Sequence, residues 1–257
     1  MLTYLPPADI IAHPGLRLVL ARGVPSPWSQ AAKAILEIKR LPYVAAPLEV
    51  AGANAEIAAW SGQNSAPVVA WGTEKPINRW LDILLLAERL APTPALLPAD
   101  PAQRALVLEL SGGLCGEHGL GWWRRLQLVH AGLNGASGFP EPVARYLGKK
   151  YGYTPEAGVA AGSRVVEMLG ALTARLSAQR AAGTRYLVGD SLTAADIYSA
   201  TFAAMFRPLP VAQCAMESST RAAFETCDAA TRDALDPILF EHRDAMYRDH
   251  LELPLAL

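Results

Sequence analysis

Cysteine is scarce. Cys115, Cys214 and Cys227 are the only thiols in 257 residues. They are too few and too far apart for a disulfide framework, and none stands in a zinc-ligand spacing. A sparse, odd set of this kind suits a reduced, cytoplasmic compartment. His118, His130, His242 and His250 form no metal-like grouping either, so no metal is expected. There is no surplus of charge: 23 basic and 24 acidic side chains leave a net charge of −1. Nucleic acid and anionic membrane surfaces are therefore not expected partners. The longest apolar runs fall well short of a membrane span. The first thirty residues contain Asp9, His13 and several prolines and glycines, which excludes a signal peptide there. Twenty prolines and twenty glycines are scattered rather than clustered, and no fixed-period repeat is visible. What is present is apolar mass. At 51% hydrophobic residues, the chain can build one large or two modest cores.

The chain is organised around Val24-Pro25-Ser26-Pro27-Trp28-Ser29-Gln30. The β-type run Leu16–Ala21 precedes it, and apolar positions at helical spacing, Ala31, Ile35 and Ile38, follow it. Ser26 thus stands where a strand turns into a helix. Pro27 falls at the first helical position, where its missing N–H costs nothing. Ser26 suits the cap, and the same free N–H groups and helix dipole favour an anion such as a thiolate.

Residues 1–15 are expected to be an irregular, proline-rich surface arm. A helix is expected over 27–40, ending in Lys39 and Arg40, whose charge suits a helix C-terminus. A second strand at 43–50 must run parallel to the first, because a helix crosses between them. A short helix or irregular segment occupies 53–61. Val68–Trp71 reads as a third strand, 72–75 as a turn and 76–78 as a short return strand. Pro67 cannot be an ordinary ladder residue, and a cis bond is one way for the chain to turn there. A helix over 80–90, apolar on nearly all sides, is expected to be buried. The clearest linker is 91–101. Beyond it the signals are helical, at about 102–131, 155–181, 193–206, 218–228 and 231–248. Thr193 and Asp196 have capping-box spacing at the head of a mostly apolar helix.

These segments resemble the cytosolic glutathione transferase family across nearly the whole chain. Ser26-Pro27-Trp28 resembles the Ser-Pro-aromatic start of its first helix. Ala66-Pro67-Val68-Val69 resembles its cis-proline segment. Leu81-Asp82-Ile83-Leu84, with 96–101, Arg104 and Ala105, resembles the join between its domains. Thr193-Ala194-Ala195-Asp196 resembles the capping box of its buried helix. The resemblance implies an α/β thioredoxin-like N-terminal domain over 1–90, a linker over 91–101, and an all-α helical domain over 102–257. It further implies a cytoplasmic homodimer that uses glutathione as co-substrate against a small apolar electrophile, as in detoxification. Ser26 would be the catalytic hydroxyl, donating to the glutathione sulfur. Ser26, Trp28, Ser65, Ala66, Pro67, Arg79 and Trp80 would line the glutathione site, with Ala66 pairing to the cysteinyl peptide like an added strand.

One departure stands out. Family members carry an acid and a serine just before the second helix of the α/β domain, where they hold the γ-glutamyl amine and carboxylate. Here those places hold Arg79 and Trp80. The alternative is a non-catalytic binding or scaffold protein that has lost the standard glutathione site. Gly112, Gly113, Gly116, Gly119 and Gly121 signal either a broken helix or close approach by a partner subunit or a ligand. On the last helix Asp244 and Arg248 are spaced as an exposed i,i+4 pair.

Overall fold

The computed structural model describes residues 2–257, which form two compact units. One comprises the chain up to Leu96 together with Pro210–Met216 and His250–Leu257; the other comprises Leu97–Leu209 and Glu217–Asp249. The first boundary lies inside the expected linker. The helical part is not continuous as expected: two of its segments fold with the N-terminal unit instead.

In the N-terminal unit, β1 (Leu16–Ala21) lies between β2 (Tyr43–Leu48) and β3 (Val68–Trp71). β1 and β2 are parallel, with Leu16 opposite Tyr43. β3 is antiparallel to β1, with Val19 opposite Val68. All of β1 is buried, as a central strand covered on both faces should be. On one face Val19, Ala46, Leu48 and Val68 pack with Ile10 and Ile57. Ile10 belongs to α1 (Pro7–Ala12) and Ile57 to α3 (Ala55–Ser61). The expected irregular arm therefore contains a short helix. Pro7 starts it, and fully burying Ile10 contributes about 2 kcal/mol. Six residues carry too little periodicity to announce this helix in the sequence.

The alternation of side chains leaves Leu16, Leu18 and Leu20 on the other face. There α2 (Pro27–Ile38) packs against β1 and against α4 (Trp80–Leu90). Lys39, just past α2, is buried rather than solvated. Its ammonium pairs with Glu88 at 2.7 Å and donates to the carbonyls of Ala91 and Pro94 at 2.8 Å each. Helix α4 is not buried on all sides, since Leu85 is 41% exposed. The return strand at 76–78 reduces to one antiparallel bridge between Val69 and Ile77.

The helical unit contains α5 (Pro101–Cys115), α6 (Leu120–Leu133), α7 (Glu141–Lys150), α8 (Pro155–Ala181), α9 (Ala194–Ala203), α10 (Ser218–Glu225), α11 (Ala229–Asp233) and α12 (Pro237–His250). The single helix expected over 102–131 is two. A Cβ on Gly119 would stand 2.8 Å from the Gly113 carbonyl oxygen, and one on Gly116 2.6 Å from that of Gly112. The glycines thus let the backbone fold over the end of α5. α7 escaped the sequence reading, since it has only three buried residues.

Nearly all of α9 is buried. Its capping box forms: Asp196 accepts from the Thr193 N–H at 2.9 Å and the Thr193 hydroxyl at 2.8 Å. Asp196 also accepts from the Leu187 N–H at 2.7 Å. Arg124 of α6, 1% exposed, donates to the carbonyls of Met205, Phe224 and Thr226. A buried guanidinium survives there because its N–H groups are matched to fixed acceptors. Asp244 and Arg248 pair with their chain neighbours, Arg243 and Asp249, rather than with each other.

Candidate functional site

Ser26 takes the N-cap position of α2, between Pro25 and Pro27. Its backbone N–H donates to the Val24 carbonyl at 2.7 Å, and its carbonyl accepts from Gln30 at 2.8 Å. The backbone is thereby fixed, yet the side chain does not act as the cap. That task of closing the strand–helix turn falls to Ser29, whose buried Oγ accepts from the Ala21 N–H at 3.3 Å. The Ser26 hydroxyl makes no hydrogen bond among the described residues, and the residue is 8% exposed. It lies at the N-terminus of α2, where the helix dipole favours an anion.

The register of the sheet brings other expected site residues to the same end. β1 runs towards Ser26, and β3, antiparallel to it, starts just after Pro67. Extending the pairing of Val19 with Val68 sets Ala66 level with the end of β1. Extending the pairing of Val69 with Ile77 sets Arg79 level with Pro67. The Ala66–Pro67 peptide is cis, so the chain turns sharply into β3. Ala66 makes no backbone hydrogen bond among the described residues. Its N–H and C=O are an unused edge, available to an extended peptide.

Ser65 is half-buried on the approach to this edge, and Trp28 is half-buried in the first turn of α2. Arg79 is exposed at the N-cap of α4, with no hydrogen bond or ion pair from its side chain among the described residues. Trp80, the first residue of α4, is half-buried. The sequence-derived set therefore gathers at one end of one sheet, and its only fixed charge is the Arg79 guanidinium. Such a site offers a hydroxyl donor, an open backbone edge and a cation. It offers no carboxylate from this set to hold an ammonium group.

Lys33 was not singled out from the sequence. It lies seven residues after Ser26 on the same helix face, two turns along α2. Its side chain is 2% exposed and forms an ion pair with Glu252. It also donates to the Ala256 carbonyl at 3.1 Å. Glu252 in turn accepts from the Ala256 N–H at 3.2 Å, and Leu255 N–H donates to the Gln213 carbonyl at 2.8 Å. A lysine at an inward-facing helical position is the signal that could have revealed a distant acidic partner.

Among the described residues no group of three or more His, Cys, Asp or Glu is placed to hold a metal ion. Among those residues no helix is long and apolar enough to cross a membrane.

Residues 145–220 match the family model described as glutathione S-transferase, C-terminal domain. No curated protein matches the sequence. Among solved structures, a glutathione S-transferase from Methylobacterium radiotolerans in complex with glutathione sulfonate is 18% identical. That alignment covers 94% of this chain and 97% of the other, with a TM-score of 0.61. A glutathione S-transferase from Methylobacillus flagellatus with glutathione bound is 15% identical, covering 91% and 95%, with a TM-score of 0.63. A bacterial Zeta-class glutathione S-transferase, maleyl pyruvate isomerase, is 24% identical, covering 85% and 95%, with a TM-score of 0.52. The resemblance drawn from the sequence holds at the level of the fold: a thioredoxin-like α/β part followed by the helical glutathione transferase part.

Proposed function

We propose, for a chain with the glutathione transferase fold, that it binds glutathione on the N-terminal unit and uses its sulfur against a small apolar electrophile. The observation that carries this reading is the Ser26 hydroxyl, without a hydrogen bond among the described residues and set at the start of α2. In this reading its O–H donates to the glutathione sulfur. The N–H groups and dipole of α2 add to that donor and favour thiolate over thiol. The thiolate then attacks an electrophilic carbon: an S–C bond forms, and the leaving group departs with its electron pair. The thiol proton has by then passed to solvent. The open edge at Ala66 pairs with the cysteinyl peptide of the ligand. Two of the solved structures similar to this chain hold glutathione or its sulfonate, which supports the choice of ligand. A cytoplasmic homodimer acting in detoxification completes the proposal. Sparse, free cysteines suit that compartment, which also holds the glutathione.

Arg79 favours a second reading. A glutathione site normally neutralises an amine and a carboxylate a few ångströms apart. Arg79 can pair with the carboxylate in a bidentate manner, and nothing in the set matches the amine. The alternative is a non-catalytic binding or scaffold protein that prefers ligands with a carboxylate and no amine. Retention on immobilised glutathione and turnover of a generic aryl halide separate the two. Both succeed for the transferase. Failure in both favours the alternative.

A further inference from the structure

Asp196 is wholly buried, and His242 of α12 is 5% exposed. Their nearest atoms, Asp196 Oδ1 and His242 Nε2, are 3.6 Å apart. His242 Nδ1 lies 3.2 Å from the Arg185 carbonyl oxygen. A carbonyl can only accept, so Nδ1 carries the proton in the neutral ring, and Nε2 turns a lone pair on Asp196. Among the described residues Nε2 has no hydrogen-bond partner. A carboxylate oxygen and a bare ring nitrogen thus face each other in a dry interior, where an unmet acceptor is costly. One proton placed between them satisfies both.

We propose that Asp196 and His242 share one proton, taken up on the acid side of neutrality, across the contact between α12 and the capping box of α9. The surroundings favour sharing over separate charging. The cations nearby are engaged elsewhere: Arg185 with Asp249, Arg180 with Glu241 and Arg243 with Asp244. Arg175 donates to the Leu187 carbonyl at 2.7 Å. The remaining groups on Asp196 are the neutral donors of Leu187 and Thr193. Burial pushes the Asp196 carboxyl up to about 6 despite those donors. Burial pushes the His242 ring down to about 4. Both shifts disfavour holding two opposite charges, or two protons, near neutral pH. The single-proton state spans the interval between them.

Linkage gives the sign. The folded pair takes up its proton near pH 6, and the unfolded chain takes one on a free histidine near 6.5. Global stability therefore changes little from this pair between pH 8 and 5. The same comparison holds for a local opening that frees His242: sharing the proton keeps the contact between α9 and α12 from being loosened appreciably as the pH falls through 6. Nuclear magnetic resonance of labelled protein tests this. The Asp196 carboxyl carbon and the His242 ring nitrogens should move together between pH 8 and 5, with one midpoint. In Asp196→Asn, which retains an acceptor for Leu187, the His242 signal should stay flat above pH 5. In the wild type, hydrogen exchange of α12 amides, corrected for intrinsic rate, should change by no more than about threefold on acidification, the equivalent of half a pKa unit. In Asp196→Asn, where the buried ring stays neutral while an opened one charges, it should quicken by more than about tenfold. Separate midpoints, a flat wild-type titration, or equal changes in wild type and variant would overturn the proposal.

Discussion

Lys33 and Glu252 are ion-paired across 219 residues of sequence. Lys33 belongs to the helix that begins at Ser26, and Glu252 to the segment that returns to the N-terminal unit. Part of helix α2, around Lys33, is therefore covered by residues encoded far from it. Replacing Glu252 with Gln should destabilise the protein by about 1–3 kcal/mol, because a buried ammonium loses its counter-charge. Glu252 is about one-third exposed, which keeps the figure below that of a fully buried pair. Adding Lys33→Met to Glu252→Gln should recover part of the loss. Urea denaturation of the three variants checks both statements.

Ser26 and Ser29 should respond in opposite ways to alanine. Ser26→Ala removes a hydroxyl with no partner, so stability should change by less than about 0.5 kcal/mol. Turnover with an aryl halide should fall about 10–100-fold, the worth of one hydrogen bond to a charged sulfur. Ser29→Ala strands the buried Ala21 N–H and should cost about 1–3 kcal/mol. Thermal unfolding beside steady-state kinetics distinguishes them. Equal activity of Ser26→Ala and wild type would remove Ser26 from the proposed chemistry.

Asp196→Ala should lower stability by at least about 3 kcal/mol. Three donors converge on this carboxylate, and each stranded buried donor costs about 1–3 kcal/mol. Asp196→Asn should cost less, since it keeps an acceptor. Calorimetric unfolding of both variants at pH 7 is the measurement. An unchanged melting temperature in Asp196→Ala would contradict the role of the capping box.

Arg79→Glu combined with Trp80→Ser should bind glutathione more tightly than the wild type, as read by titration calorimetry on folded protein. The new acid meets the amine and the new hydroxyl the carboxylate. The exposure of Arg79 makes its replacement structurally mild. Tight wild-type binding that weakens in the double variant would show that this end of α4 does not repel the amine.

Much of the fold was legible in residues whose local chemistry leaves few choices. Leu16–Ala21 formed β1 over the range expected, Val68–Trp71 formed β3, and Pro155 and Thr154 started α8 where the pattern put it. Ser26 was placed correctly at the cap position, but its side chain does not cap. A cap preference describes a residue type, and here Ser29 satisfies the strand end instead. What the sequence concealed is long-range. His242 was noted only for having no metal-like grouping, and only packing turned it towards Asp196. Lys33 has no local signal for Glu252. The break after α5 was visible as crowded glycines, but periodicity alone could not choose between a broken helix and an interface.

The segments 210–216 and 250–257, folded with the N-terminal unit, set an order of events during synthesis. On a ribosome the first 96 residues, which carry β1, β2 and β3, emerge early. The ammonium of Lys33 then has no counter-ion until Glu252 leaves the exit tunnel, after the whole helical unit has been made. The first unit to be translated is thus the last to be finished, and a nascent chain arrested between the two events would carry an uncovered lysine on the helix that starts at Ser26.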